Sequence, residues 1–197
     1  MIIGVTGGVG AGKSTILDYL KNRYNAAVIQ ADDVAKELMM PGGVSYKAVT
    51  DHFGDGILTA GYGSPIDRAA LAEIVFNDEK QLSILNSLTH PAVKTEIQRL
   101  IRKYQSLGCS IIIIEAALLI QAGYQDIIDE LWTVYADKRT RVERLISTRN
   151  YSEEKAESII SSQMSDEQMN AAADLVIDNS GSTENTCRQI DEYLSGR

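Results

Sequence analysis

Short apolar runs rich in β-branched residues alternate along this chain with stretches whose apolar positions recur at helical spacing. The runs fall near residues 2–6, 26–30, 109–115, 131–136 and 174–178, and each reads as a strand. They are apolar at successive positions, as strands buried on both faces must be. Helical patterns fill 13–23, 32–39, 44–53, 67–76, 78–88, 91–107, 137–148, 152–163 and 183–195. Strands and helices in alternation predict an α/β chain, a five-stranded parallel sheet flanked by helices.

The strands are unevenly spaced. The stretch between the second and the third is nearly all helical in pattern and too long for a plain crossover. It predicts a helical insertion over about 32–107, where an acceptor would bind, standing off a core of about 1–31, 108–148 and 173–197. A second excursion, about 149–172, reads as a helical lid, with Ser152 capping the polar start Glu153-Glu154-Lys155. The 197 residues suit one domain carrying such insertions, without repeats or low-complexity tracts.

The strongest chemical signal is Gly7-Gly8-Val9-Gly10-Ala11-Gly12-Lys13-Ser14, which fits G-x-x-x-x-G-K-[ST] between a strand and a helix. The glycines let backbone N–H groups of Gly8 through Thr15 wrap phosphates, and the following helix adds its positive end. Lys13 would reach the β- and γ-phosphates of ATP and Ser14 would take a place on Mg²⁺. The fold class is therefore a P-loop NTPase fold. The motif specifies nucleoside-triphosphate binding without specifying the reaction. No N/T-K-x-D tetrapeptide reads guanine, and Asp51-His52-Phe53-Gly54 stands at a helix end instead of following a strand. A small phosphotransferase remains, with an ATP-sensing module as the non-catalytic alternative.

Transfer to a hydroxyl needs a carboxylate that orients or deprotonates it. The second strand ends at Ala31-Asp32-Asp33, where an open α/β sheet places its chemistry. Neighbours on a helix diverge by about 100°, so one of the two would face the phosphates, while an N-cap role for either is equally open. Glu115 closes Ile111-Ile112-Ile113-Ile114 and must be paired or functional if buried, as a Mg²⁺-water or acceptor-side acid. Arg139, Arg141, Arg144 and Arg149 crowd the approach to the lid, where arginines neutralise charge on a transferred phosphoryl group. The alternative is a solvated helix face with surface ion pairs.

Lys and Arg number 19 against 27 Asp and Glu, a net charge of −8, and no basic face for nucleic acid is visible. Cys109 and Cys187 lack metal-ligand or redox spacing and read as thiols of a reducing cytosol. No apolar run is long enough for a membrane span. The expectation is a cytoplasmic protein that binds neither membrane nor nucleic acid, a monomer with no obligate protein partner.

Taken in order, Gly4-Val5-Thr6-Gly7-Gly8-Val9-Gly10-Ala11-Gly12-Lys13-Ser14-Thr15 and Ala31-Asp32-Asp33-Val34-Ala35 with Pro41-Gly42 resemble the dephospho-CoA kinases. The likeness continues through His52-Phe53-Gly54, Asp67-Arg68-Ala69-Ala70-Leu71, Phe76-Asn77, Leu85-Asn86 and His90-Pro91. Leu118-Leu119, Ser162-Gln163-Met164 and the run from Asp174 to Gly181 complete it, so that it covers nearly the whole chain. It implies ATP-dependent phosphorylation of the ribose 3′-hydroxyl of dephospho-CoA, the last step of coenzyme A synthesis. It also implies that Asp32 is the base, that Arg149 leads the arginines ahead of Arg144, and that Asn179 and Gly181 line the adenine. Thr6, His90, Glu115 and Leu118 become acceptor-side positions by the same likeness. The sequence departs from the family at Ala117 and Gln121, where Pro and Glu are usual, at Ile159, where Arg is often found, and before Asp174. Another small-molecule or nucleoside kinase is the alternative enzyme.

Overall fold

The computed structural model describes residues 1–76, 78–116, 119 and 123–196. Its strands are β1 (Ile2–Gly7), β2 (Ala27–Gln30), β3 (Ile112–Glu115), β4 (Glu130–Tyr135) and β5 (Leu175–Asp178). They form one sheet in the order β2-β3-β1-β4-β5. β1 runs parallel to β3, with Val5 opposite Glu115, and parallel to β4, with Val5 opposite Trp132. β4 in turn runs parallel to β5. The central strands are buried almost throughout, which is why their residues are apolar on both faces.

The helices are α1 (Lys13–Tyr24), α2 (Ala31–Leu38), α3 (Tyr46–Phe53), α4 (Arg68–Phe76), α5 (Glu79–Ser106), α6 (Lys138–Arg149), α7 (Glu153–Ser161), α8 (Asp166–Ala172) and α9 (Thr183–Ser195). The chain divides into two compact units, Met1–Ile29 with Tyr104–Arg197, and Gln30–Lys103.

In the first unit, Ile3, Val5, Ile113, Trp132, Val134 and Ile177 of the sheet pack with Ile16 and Leu20 of α1 and Ile190 of α9. Trp132 is fully buried, its indole N–H donating to Glu130 at 2.8 Å and its ring edge-on to Tyr193 at 5.6 Å. α1 and α9 are tied where Tyr19 and Tyr24 both donate to Asp191 Oδ1, at 2.6 and 2.7 Å. The Asp191 hydrogen bond pushes the Tyr19 phenol up to about 12. In the second unit, Val49, Ile57 and Leu71 form a separate core, joined by Met39, Phe53, Val75 and Leu85.

Two expectations about helices are corrected. The patterns at 78–88 and 91–107 are a single helix, α5, with Pro91 inside it. Proline removes one backbone hydrogen bond, but the buried positions Thr89, Val93, Ile97 and Ile101 continue across it at four-residue spacing. Thr89 and Thr95 hydroxyls also bond the Leu85 and Pro91 carbonyls, at 2.8 and 2.9 Å. His90 therefore lies within a helix and not at a helix start. The proposed lid holds a second helix, α8, whose Ser165 and Gln168 form a capping box. Ser152 caps α7 as expected, accepting from Lys155 N–H. Among the described residues, no helix is long and apolar enough to cross a membrane.

Candidate active site

At the carboxyl end of β1 the chain leaves the sheet through Gly7-Gly8-Val9-Gly10-Ala11-Gly12 and enters α1 at Lys13. Gly12, the residue before the helix, has φ +90°, and no side chain caps the first turn. The amides of Gly10, Gly12 and Ser14 donate to no group among the described residues, so the loop presents open donors and the positive end of α1 to an anion. Lys13 folds back to donate to the Gly7 carbonyl at 2.9 Å, and its ammonium stands 3.9 Å from Glu115 Oε1. Glu115 closes β3 beside β1, so the acid expected from the sequence to be paired or functional sits next to Lys13 of the glycine-rich loop.

The loop's outer side is held by α6, α8 and the segment after β5. Arg141, only 2% exposed, donates to the Val9 carbonyl at 2.8 Å, to Asp166 at 2.9 Å and to Gln163 at 3.1 Å. Gln163 Oε1 also accepts from the Val9 amide at 2.8 Å. Arg144 donates to the Gly10, Ala11 and Asn179 carbonyls at 3.3, 3.2 and 2.8 Å. Asn179 donates to the Ala11 carbonyl at 2.7 Å and accepts from Thr186 at 2.9 Å. Val9 also packs its side chain against Val142, Leu145 and Ala156, with Tyr151 and Ile160. The carbonyls on the outside of the loop are thus satisfied by fixed donors, which leaves the inner amides for phosphate.

This bracing changes the reading of two arginines. The solvated helix face holds for Arg139, 89% exposed and paired with Glu143 at 2.9 Å. Arg141 belongs to the buried side of α6 with Val142 and Leu145. Its place is legible in that spacing, whereas the resemblance puts Arg149 and Arg144 ahead of it. Arg149 is the last residue of α6, exposed, and makes none of these bonds. Gln163 and Asp166 had no role assigned from sequence. Thr6 is buried within β1 at 2% exposure, and Gly181 is exposed. Leu118 lies outside the described residues.

In the second unit, α2 begins at Ala31 with Gln30 in the cap position and no side-chain cap. Neither Asp32 nor Asp33 is an N-cap, which removes that alternative; both fall in the first helical turn. Asp33 is ion-paired with Lys36, whereas Asp32 is exposed and makes no hydrogen bond or ion pair among the described residues. His90 is half-buried, and burial pushes its imidazole below the usual range.

Gly8 shows how tightly the loop and Arg141 fit. A Cβ there would lie 2.2 Å from Arg141 Nη2, so Gly8 is required by the guanidinium and not by its own backbone angles. Gly8→Ala is therefore expected to lower the thermal midpoint and raise the KM for ATP by displacing Arg141. In thermal unfolding, Gly8→Ala combined with Arg141→Ala should cost no more than Arg141→Ala alone. Strict additivity of the two would place the cost of Gly8→Ala elsewhere.

The family model for dephospho-CoA kinase matches residues 1–185 of the chain. A dephospho-CoA kinase of Carboxydothermus hydrogenoformans is 41% identical over 189 residues, covering 96% of this chain and 90% of that protein. One of Geobacter sulfurreducens is 38% identical over 196 residues, covering 100% of this chain and 98% of that protein. Among solved structures, the dephospho-CoA kinase from Campylobacter jejuni has the same fold, with a TM-score of 0.71 at 23% identity over 98% of this chain and 95% of that one. With a phosphate-binding loop braced in this way and relatives that align over nearly the full length, the chain belongs to the dephospho-CoA kinase family.

Proposed function

We propose that this enzyme transfers the γ-phosphoryl group of ATP to the ribose 3′-hydroxyl of dephospho-CoA, giving coenzyme A and ADP as the last step of coenzyme A synthesis. The observation that carries the reading is the open phosphate loop with Lys13 poised between the Gly7 carbonyl and Glu115. In this reading the amides from Gly8 to Thr15 surround the phosphates, apart from those of Val9, Ala11 and Thr15, which are already engaged by Gln163, the Gly8 carbonyl and the Gly12 carbonyl. Lys13 leaves its carbonyl to meet the β- and γ-phosphates, where charge develops during transfer. Arg144 and Asn179 keep the loop in shape from behind, and the Gly181 segment receives the adenine.

Mg²⁺ suits the oxygen donors present. Ser14 is exposed at the start of α1 with its hydroxyl engaged by no other described group, and the Glu115 carboxylate is close to Lys13. No group of three or more His, Cys, Asp or Glu side chains among the described residues could hold a metal alone, so the phosphates and water would complete the shell, as is usual for this ion. When bound, Mg²⁺ draws charge from the phosphate oxygens. Asp32 is assigned as the base that accepts the acceptor's proton, supported by its unpaired carboxylate beside the engaged Asp33. His90 and Leu118 are assigned to the acceptor side, with Thr6 a buried support.

The helical segment of about 32–107 is assigned to the acceptor and that of about 149–172 to a lid, which Arg149 opens. If Arg149 reaches the transferred group on closure, Arg149→Ala will depress kcat more than it raises the KM for ATP. An unchanged kcat leaves it a solvated residue. The enzyme is assigned to the cytoplasm as a monomer without nucleic-acid, membrane or obligate protein partners.

A coupled ADP-release assay with dephospho-CoA against nucleosides and nucleoside monophosphates tests the function. The highest kcat/KM is expected with dephospho-CoA. Preference for a nucleoside would make the chain a different kinase, and ATP binding without transfer to any acceptor would make it a sensor.

A further inference from the structure

The second unit contains a cavity of about 430 Å³, inside the ~300–1,000 Å³ range of small-molecule sites. Its wall is mostly apolar, with Met39, Leu71, Ala72 and Val75 on it, and two cationic side chains, Lys36 and Arg68, also line it. α2, its C-cap Met39 and α4 supply these residues, and α4 is fixed at its start by Asp67, whose Oδ1 accepts from the Ala69 and Ala70 amides at 2.9 and 3.2 Å. Arg68 is exposed and makes no hydrogen bond or ion pair among the described residues. Nothing in the phosphate loop's chemistry uses this cavity.

We propose that the cavity binds the pantetheine arm of the acceptor, with Arg68, joined by Lys36 on release from its exposed ion pair with Asp33, meeting the phosphates from which that arm hangs. This rests on the acceptor proposed above and adds to it a site and residues. Dephospho-CoA has three chemically distinct parts: an adenosine that carries the reacting hydroxyl, a diphosphate, and a thin chain of methylenes, geminal methyls and two amides. An adenosine needs convergent polar groups for its base and ribose, which this lining lacks. The methylenes and geminal methyls of the arm need only contact area, and Met39 can adapt its flexible thioether to them. Two cations at an apolar slot match an anion joined to an apolar tail, because guanidinium and ammonium both bind phosphate oxygens. The site would then select acceptors by their arm, at a distance along the molecule from the hydroxyl that reacts.

Ala72 offers the test, since it lines the cavity yet is exposed on α4, and a larger side chain there need not disturb the core. Ala72→Trp is expected to raise the KM for dephospho-CoA by about tenfold or more, the loss expected when a pocket contact is blocked. The thermal midpoint and the KM for ATP should hold, with Ala72→Leu as the milder variant if the midpoint drops. Independently of catalysis, titration calorimetry with 4′-phosphopantetheine, which has the arm and a phosphate but no adenosine, should show binding to wild type. That binding should be weakened by Ala72→Trp and by Arg68→Ala. No binding of 4′-phosphopantetheine to wild type, or equal binding by wild type and Ala72→Trp, overturns the proposal. A wild-type chain that binds this probe in an Ala72-dependent way but transfers no phosphate to dephospho-CoA keeps the cavity and removes the proposed reaction.

Discussion

Lys13→Ala is expected to abolish phosphoryl transfer, lowering kcat by about 10³-fold or more, while the protein still folds. Removing one fixed donor aimed at developing charge costs about 10²–10³ in kcat in other enzymes, and Lys13 adds a full charge to its hydrogen bonds. Its ammonium contacts the Gly7 carbonyl and the Glu115 carboxylate at the rim of the sheet, and the core below rests on Ile16, Leu20 and the strands. The thermal midpoint should therefore stay within a few degrees of wild type, which differential scanning calorimetry would show. The ADP-release assay reads the other half. Turnover within a few-fold of wild type would take Lys13 out of the chemistry.

The second large effect is expected at Asp32. Asp32→Asn keeps the shape of the side chain and removes the proposed base, so kcat should fall by about 10²-fold or more with ATP binding nearly preserved. Asp33→Asn should cost far less turnover, because Asp33 is already committed to Lys36. Since neither residue caps α2, the stability cost of Asp32→Asn is limited to what a first-turn carboxylate gains from the helix dipole, about 0.3–1 kcal/mol, and Asp33→Asn adds the loss of an exposed ion pair with Lys36, about 0–1 kcal/mol. Turnover and thermal midpoint measured on both variants separate the roles. Equal turnover by Asp32→Asn and wild type would leave the base unassigned, and a large loss in Asp33→Asn would exchange the two.

The parts of this structure legible in the sequence were those encoded locally. Ile2–Gly7 and Ile112–Glu115 are apolar at successive positions, so their place in a doubly covered sheet follows from composition alone. The glycine-rich turn into Lys13 carries its own geometry. What escaped depends on residues distant in sequence. Arg141 reads as one more surface charge until Val9, Gln163 and Asp166 are brought around it. Asn179 reads as a loop residue until Ala11 is placed beside it. Pro91 is a reliable local stop signal, overridden here by the buried stripe on both sides of it. The helix Asp166–Ala172 has a local signature in Ser165-Asp166-Glu167-Gln168, a capping pattern, but Asn170 and the three alanines after it carry little apolar periodicity.

The order of the strands also bears on how the chain acquires its fold during synthesis. β1 lies between β3 and β4, so Ile2 must wait for Ile112 and Ile3 for Glu130. At about 5–20 residues per second, the strand that leads into the nucleotide loop stays unpaired for several seconds after it leaves the ribosome. Gln30–Lys103 has its own core and can collapse within that interval. Ile2, Ile3 and Val5 meanwhile remain an exposed β-branched edge of the kind that recruits chaperones or other chains. The most sequence-distant pairings in the sheet thus hold the strand that leads into the glycine-rich loop, and that loop is among the last features of the molecule to form.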